Sequence, residues 1–140
     1  MGRTRYGVRG EIKGTAESFY RALSTGNLKS IEALWAAEPY AAVAGPAGQL
    51  HQGWAGVCEY WKERVARNAD DHVAARISGM VTHAVGDVGW FSGTEHLNIR
   101  RDGHESDENL RVTCVLERRG TNWQIVSYHA SLPVELPAAS

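Results

Sequence analysis

Apolar positions recur with helical spacing through the first half of the chain and with two-residue spacing through the second. From Glu11 to Ser24, the residues Ile12, Ala16, Phe19, Tyr20 and Leu23 fall on one face of a helix, and Gly26 ends it. Asn27 is placed to cap a second helix by accepting backbone N–H bonds, with Leu28, Ile31, Leu34 and Trp35 as its apolar stripe until Pro39 stops it. Tyr40 to Val43 and Gln49 to Gln52 predict two short strands around a turn at Gly45, Pro46 and Gly48. After Gly53, a third helical stripe follows in Trp54, Val57, Cys58, Trp61 and Val65.

The period then changes. His72 to Val85 alternates, with Val73, Ala75, Ile77, Val81, His83 and Val85 on one side. Gly86-Asp87 and Asp102-Gly103 are two-residue hairpin signals, and they separate further strands over Val88 to Arg101, Asp107 to Arg118 and Trp123 to Ser131. Three helices followed by a meander predict an α+β fold with a mainly antiparallel sheet, since parallel strands would need helical crossovers. With 140 residues the chain has the length of one domain, expected over 11–133. Met1 to Gly10 and the stretch 134–140 lack periodicity and are expected as tails.

Side-chain direction in a strand has a period of two, so the hairpin turns set which residues share a face. His83 falls opposite Trp90, Glu95 opposite Leu110, Gly93 opposite Val112 and Phe91 opposite Cys114. One face then carries Met80, Phe91, Leu97, Leu110, Val112, Cys114 and Leu116 and is expected to take the helices. An even turn at Gly120-Thr121 would add Ile125, Ser127 and His129 to that face. Glu95 and His129 would then lie on strands one strand apart, within about 10 Å given a strand spacing of about 4.8 Å. A carboxylate and an imidazole facing one apolar space can exchange protons with a ligand near neutral pH, which makes Glu95 and His129 a candidate catalytic acid and base pair. A structural alternative stands beside it: Glu95 paired with His129, Arg111 or a helix terminus, and His129 hydrogen-bonded in the core. Tyr20, Trp54, Trp61, Met80, Phe91, Val112 and Ser127 are the expected ligand contacts, although core packing accounts equally for most of the aromatic ones.

The opposite face carries His83, Trp90, Arg111, Thr113 and Tyr128, with Val115 and Val126. That is too apolar and aromatic for a surface left in water, and a second copy related by a two-fold axis is the expected cover.

Fifteen Lys and Arg against sixteen Asp and Glu leave a net charge of -1, so no charge excess supports nucleic-acid binding. No apolar run reaches the length of a membrane span and no leader-like h-region is present, so a cytoplasmic protein is expected. The six histidines show neither HxH nor HExxH spacing, and no metal is expected. Glycine-rich phosphate loops and a GxSxG elbow are absent, and no cofactor is expected. Cys58 and Cys114 lack CxxC spacing and are expected as free thiols.

This order of elements resembles the SnoaL-like branch of the nuclear-transport-factor-like superfamily. The resemblance rests on Ala16 to Trp35, Gly53 to Trp61, Leu110 to Leu116 (LRVTCVL) and Asn122 to Pro133 (NWQIVSYHASLP). Its most specific parts are Arg111-x-Thr113 and the Trp123-x-Ile125-x5-Ser131 run with His129. The resemblance implies a cone-shaped α+β barrel, in which a curved sheet wraps three helices around a pocket and the outer face commonly forms homodimers. The superfamily holds ketosteroid isomerases, polyketide cyclases and dehydratases beside members that catalyse nothing. Tyr20 matches the first-helix tyrosine of the isomerases, but the strand Tyr40-Ala41-Ala42-Val43 lacks their aspartate base. Glu95 resembles the pocket acid of the cyclases, and His129 the cavity histidine of the dehydratases. The expectation is a small-molecule pocket protein with cofactor-independent acid/base chemistry on an apolar carbonyl compound, or alternatively a non-catalytic homodimeric association module.

Overall fold

The computed structural model describes residues 5–137. Its elements run in the order α1 (Arg5–Thr25), α2 (Leu28–Ala33), β1 (Ala42–Ala44), β2 (His51–Gln52), α3 (Gly53–Arg67), β3 (His72–Val85), β4 (Val88–Arg101), β5 (His104–Arg119) and β6 (Asn122–Ser131). The expected N-terminal tail lies outside the described residues over 1–4, and from Arg5 the chain is already helical. Residues 132–137 have no regular secondary structure, and 138–140 lie outside the described residues.

The predicted apolar stripe of α1 is the face that is buried: Ile12, Ala16, Phe19, Tyr20 and Leu23 all leave water. At its C-terminal end, the Ser24 hydroxyl accepts from the Ala75 backbone N–H at 2.8 Å and ties the helix to β3. Gly26 takes a positive φ of 63° and turns the chain out of α1. Asn27 then caps α2, its side chain accepting from the Ser30 N–H at 3.1 Å. That helix stops at Ala33, well before Pro39, because the next residues pair with the sheet. The Ile125 N–H donates to Leu34 O at 2.8 Å, and the Ala36 N–H donates to Ile125 O at 2.9 Å.

The six strands form one open sheet in the order β2-β1-β6-β5-β4-β3, antiparallel except for the parallel β1–β6 pair. As in the expected α+β fold, the helices pack on a mainly antiparallel sheet, which does not close on itself. Its concave face holds the helices around Trp61, Phe19, Tyr128 and Phe91, the largest wholly buried aromatic side chains.

The central hairpin follows the counting from its turn: Glu95 opposes Leu110, Gly93 opposes Val112 and Phe91 opposes Cys114. Two bulges overturn the counting elsewhere. In β3 the register shifts between Ser78 and Val81, with Gly79 at a φ of 61°. The alternation therefore flips there: Ala75, Ile77, Met80 and Ala84 pack toward the core, while Val81 and Val85 stand 64% and 66% exposed. In β6 the register shifts between Val115 and Leu116, so Leu116 opposes Ile125 but Val115 opposes Ser127. Val126 is the extra residue. It falls between Ile125, which bridges Trp35, and Ser127 to His129, which pair with β1. The outer edge of β6 thus serves two separate segments, and the bulge adjusts the strand between them.

Gly89 on β4 lies against α1. A Cβ there would sit 2.6 Å from Ile12 Cδ1 and 3.1 Å from the His83 carbonyl oxygen, whereas a Cβ at Gly14, within α1, would meet nothing within 4 Å. Gly89→Ala is expected to cost about 1–3 kcal/mol through overpacking. Gly14→Ala is expected to add about 0.5–1 kcal/mol through helix propensity. Urea denaturation of both variants checks the placement of α1 on the sheet.

Candidate functional site

The turn of α3 puts Val57, Tyr60, Trp61 and Arg64 at i, i+3, i+4 and i+7, on the side that faces the sheet. An arginine thereby enters an otherwise apolar stripe. Its guanidinium lies over the Trp61 ring, 5.2 Å from the ring centroid, and its side chain is 12% exposed. From β4, Glu95 enters the same space with no exposed surface. From β6, the bulge at Val126 turns Tyr128 inward.

These three side chains bond to one another. The Tyr128 hydroxyl donates to Glu95 Oε1 at 2.8 Å, Arg64 Nη2 donates to Glu95 Oε2 at 3.4 Å, and Arg64 Nη1 donates to the Tyr128 hydroxyl oxygen at 3.3 Å. Each element of the core thus supplies one corner: α3 a cation, β4 a carboxylate and β6 a phenol. Tyr20 of α1 stands beside Glu95, its hydroxyl buried and without a completed hydrogen bond.

Burial pushes the Tyr20 phenol far above its ordinary value, and the charge of Glu95 adds to the shift. Burial does the same to Tyr128, again with Glu95 adding and Arg64 opposing. For Arg64, burial works against the cation, but Tyr128 and Glu95 outweigh it and hold the guanidinium more firmly protonated than usual. Cys114 is wholly buried nearby, and burial raises its thiol well above the ordinary range.

A cleft of about 490 Å³ opens at the far end of the sheet. It lies between the C-terminal ends of α1 and α3, the Pro46-Ala47 loop and the inner-face residues Val73, Leu97, Ile99 and Leu110. Arg64 and Tyr60 line it, and Glu95 sits behind Arg64 and Leu110. The volume is within the range of small-molecule sites.

Of the expected catalytic pair, Glu95 is where the register arithmetic puts it and His129 is not. His129 opposes Thr113 and is exposed on the outer face, because the extra residue Val126 reverses every side chain after it. For the same reason Ser127 opposes Val115, away from the cavity, and Tyr128, expected on the outer face, is buried inside. None of the seven expected ligand contacts lines the cleft. Tyr20, Trp61, Phe91 and Val112 are buried in the core beneath it, while Trp54 and Met80 are half-buried against that core. His83, Trp90, Arg111 and Thr113 do lie on the outer face. There the His83 and Trp90 rings are 4.9 Å apart, Ser92 and Thr113 hydroxyls meet at 3.3 Å, and Arg111 donates to Ser131 Oγ at 3.2 Å. Among the described residues no group of three or more His, Cys, Asp or Glu side chains is placed to hold a metal ion.

Arg64 carried a legible signal that the sequence reading passed over: it continues the Val57, Tyr60, Trp61 stripe by one more turn. Tyr128 carried none, since its direction depends on the bulge.

The family model of the SnoaL-like domain matches residues 12–135. The chain belongs to the SnoaL-like family. Solved structures place that SnoaL-like domain in the NTF2-like fold. One is a candidate dehydratase of the NTF2-like family from Streptomyces avermitilis, 17% identical, covering 94% of this chain and 100% of that one at a TM-score of 0.86. Another is a candidate calcium/calmodulin-dependent protein kinase II association domain from Xanthomonas campestris, 20% identical, covering 90% and 88% at 0.75. A third is a ketosteroid isomerase-like protein from Erwinia carotovora atroseptica, 14% identical, covering 91% and 97% at 0.72. No protein of curated function matches the SnoaL-like chain significantly. No helix among the described residues is long and apolar enough to cross a membrane.

The two inward phenols are expected to respond oppositely to loss of their hydroxyls. Tyr128→Phe leaves Glu95 Oε1 buried without a donor and is expected to cost about 1–3 kcal/mol, whereas Tyr20→Phe removes an unpaired buried hydroxyl and is expected to be neutral or mildly stabilising. Both phenols are raised above the ordinary 10.0, so the native state keeps protons that the unfolded chain releases. Their stabilising contribution is complete below that value and declines as pH rises past it. Urea midpoints followed upward through this range check the sign, and the decline is expected to be shallower in Tyr20→Phe.

Proposed function

We propose that this SnoaL-like chain is a small-molecule pocket protein that carries out cofactor-independent acid/base chemistry on an apolar carbonyl compound bound in the cleft. The observation that carries this reading is the meeting of Arg64, Glu95 and Tyr128 behind the cleft's inner wall, with the Tyr20 hydroxyl left unbonded beside them. A carbonyl oxygen entering the cleft meets Arg64 first. Of the two contacts to Glu95, the arginine's is the longer, at 3.4 Å against 2.8 Å. Drawing the guanidinium toward the substrate frees Oε2 while Tyr128 keeps Oε1 in place. Glu95 then takes the proton alpha to the carbonyl, the electron pair of the broken C–H bond moves onto the oxygen, and Arg64 stabilises that charge. Returning the proton at another carbon, or expelling a β-leaving group, completes an isomerase or lyase type of turnover. The dehydratase and ketosteroid isomerase-like descriptions of two fold neighbours agree with this class of chemistry.

The test is exchange of alpha protons in deuterated water across a panel of small apolar ketones, read by NMR. Wild type is expected to accelerate exchange for at least one of them, with that ketone raising the melting temperature saturably. Glu95→Gln is expected to lose about a hundredfold or more of the rate. Exchange no faster than in Glu95→Gln for every ketone, without any thermal shift, overturns the reading.

A second reading, a homodimeric association module, is favoured by the half of the outer sheet face near the β3–β4 turn. Val81, Val85 and Val88 are 64%, 66% and 43% exposed there, beside the His83–Trp90 ring pair. The occupant proposed for that patch is a second copy of the chain, since an isologous contact lets one apolar patch cover itself, and the association-domain neighbour agrees with it. Val81→Asp with Val85→Asp is expected to convert a dimer to a folded monomer in light scattering. A wild type that is monomeric at high concentration excludes the module.

A further inference from the structure

The other half of the outer face is polar, and a second chain of hydrogen bonds crosses three of its strands. Ser78 Oγ of β3 lies 2.6 Å from His96 Nε2 of β4, and His96 Nδ1 lies 2.6 Å from Asn109 Oδ1 of β5. His96 and Asn109 are directly opposed in the ladder, while Ser78 opposes Thr94, two pairs along and on the same face. An imidazole that donates its Nδ1 proton to the amide oxygen presents its Nε2 lone pair to the serine hydroxyl. The atoms therefore stand in the order hydroxyl nucleophile, base and orienting acceptor, each joined through the nitrogen that order requires.

Three further observations go beyond an ordinary cross-strand polar row. Ser78 sits at the β3 bulge, followed by Gly79 at a positive φ, and neither Gly79 nor Met80 has a partner residue on β4. The backbone after the hydroxyl thus leaves the regular ladder. A Cβ at Gly93 would lie 2.9 Å from the Ser78 carbonyl oxygen, so a glycine across the sheet accommodates this displaced backbone. Finally, a depression walled by Arg76, His96, Asn98, Asp107 and Asn109 adjoins the relay, without Ser78 among its walls, and Arg76, which opposes His96, brings a cation to the same side.

We propose that Ser78, His96 and Asn109 form a nucleophilic site that reacts with small activated acyl esters, separate from the Arg64–Glu95–Tyr128 cluster. Ser78 Oγ attacks the acyl carbon and its proton passes to His96 Nε2. The bond to the leaving alcohol breaks, and the alcohol departs with that proton. Water, deprotonated by the same nitrogen, then cleaves the serine ester, releasing the carboxylic acid and restoring the hydroxyl. Asn109 is a positioning residue that holds the imidazole in the required tautomer.

The full chain treated with p-nitrophenyl acetate, and separately with a fluorophosphonate, tests this by reaction rate and by peptide mapping of the adduct. A single adduct on Ser78 is expected. Its rate is expected to fall at least tenfold in His96→Gln, and less in Asn109→Ala, with circular dichroism showing both variants folded. Rates unchanged in Ser78→Ala, or an adduct on any other side chain, overturn the proposal. Labelling of Ser78 that His96→Gln leaves unaltered overturns the relay as well.

Discussion

A carboxylate withdrawn entirely from water has to be met by donors, and in this chain the donors come from elements far apart in sequence. Glu95 takes its hydroxyl partner from β6 and its guanidinium from α3. Leaving such a charge unpaired costs more than most single contacts return, so the two elements are constrained together. Helix α3 is rotated to put Arg64 on the sheet side, and β6 is phased to put Tyr128 inward. The aromatic packing of Trp61 against Phe19, Tyr60 and Tyr128 follows from the same rotation and phase.

That arrangement separates two spaces a cone-shaped fold could have merged. Around Trp61 the interior is filled: of the expected pocket walls, Trp61 and Phe91 are core, and Trp54 and Met80 are half-buried against it. Beyond Arg64 the cleft opens between the C-terminal ends of α1 and α3 and the inner face of β3, β4 and β5. The polar cluster lies at the boundary between the packed part and the open part. A guanidinium backed by a carboxylate and a phenol can meet a ligand oxygen there without an unpaired charge in the apolar interior.

The outer face is divided in the same way by the β3 bulge. On the turn side of Gly79 the exposed residues are Val81 and Val85, and on the other side the row through Ser78, His96 and Asn109 is hydrogen-bonded across strands. One extra residue changes both which side chains face water and how the backbone runs past Ser78.

The chain's own pattern determined the three helices, the Asn27 cap, the four long strands and the pairing of β4 with β5, because periodicity and two-residue turns are local properties. The same counting put Glu95 on the inner face. It also left Arg64 legible as an arginine on an apolar stripe. Only the tertiary structure decided that His129 faces outward and Tyr128 inward. Counting by twos from a turn holds until a strand carries an extra residue, and Val126 is extra because the far edge of β6 must pair with Trp35 and then with β1. Those partners lie more than eighty residues upstream, and no pattern within β6 records them.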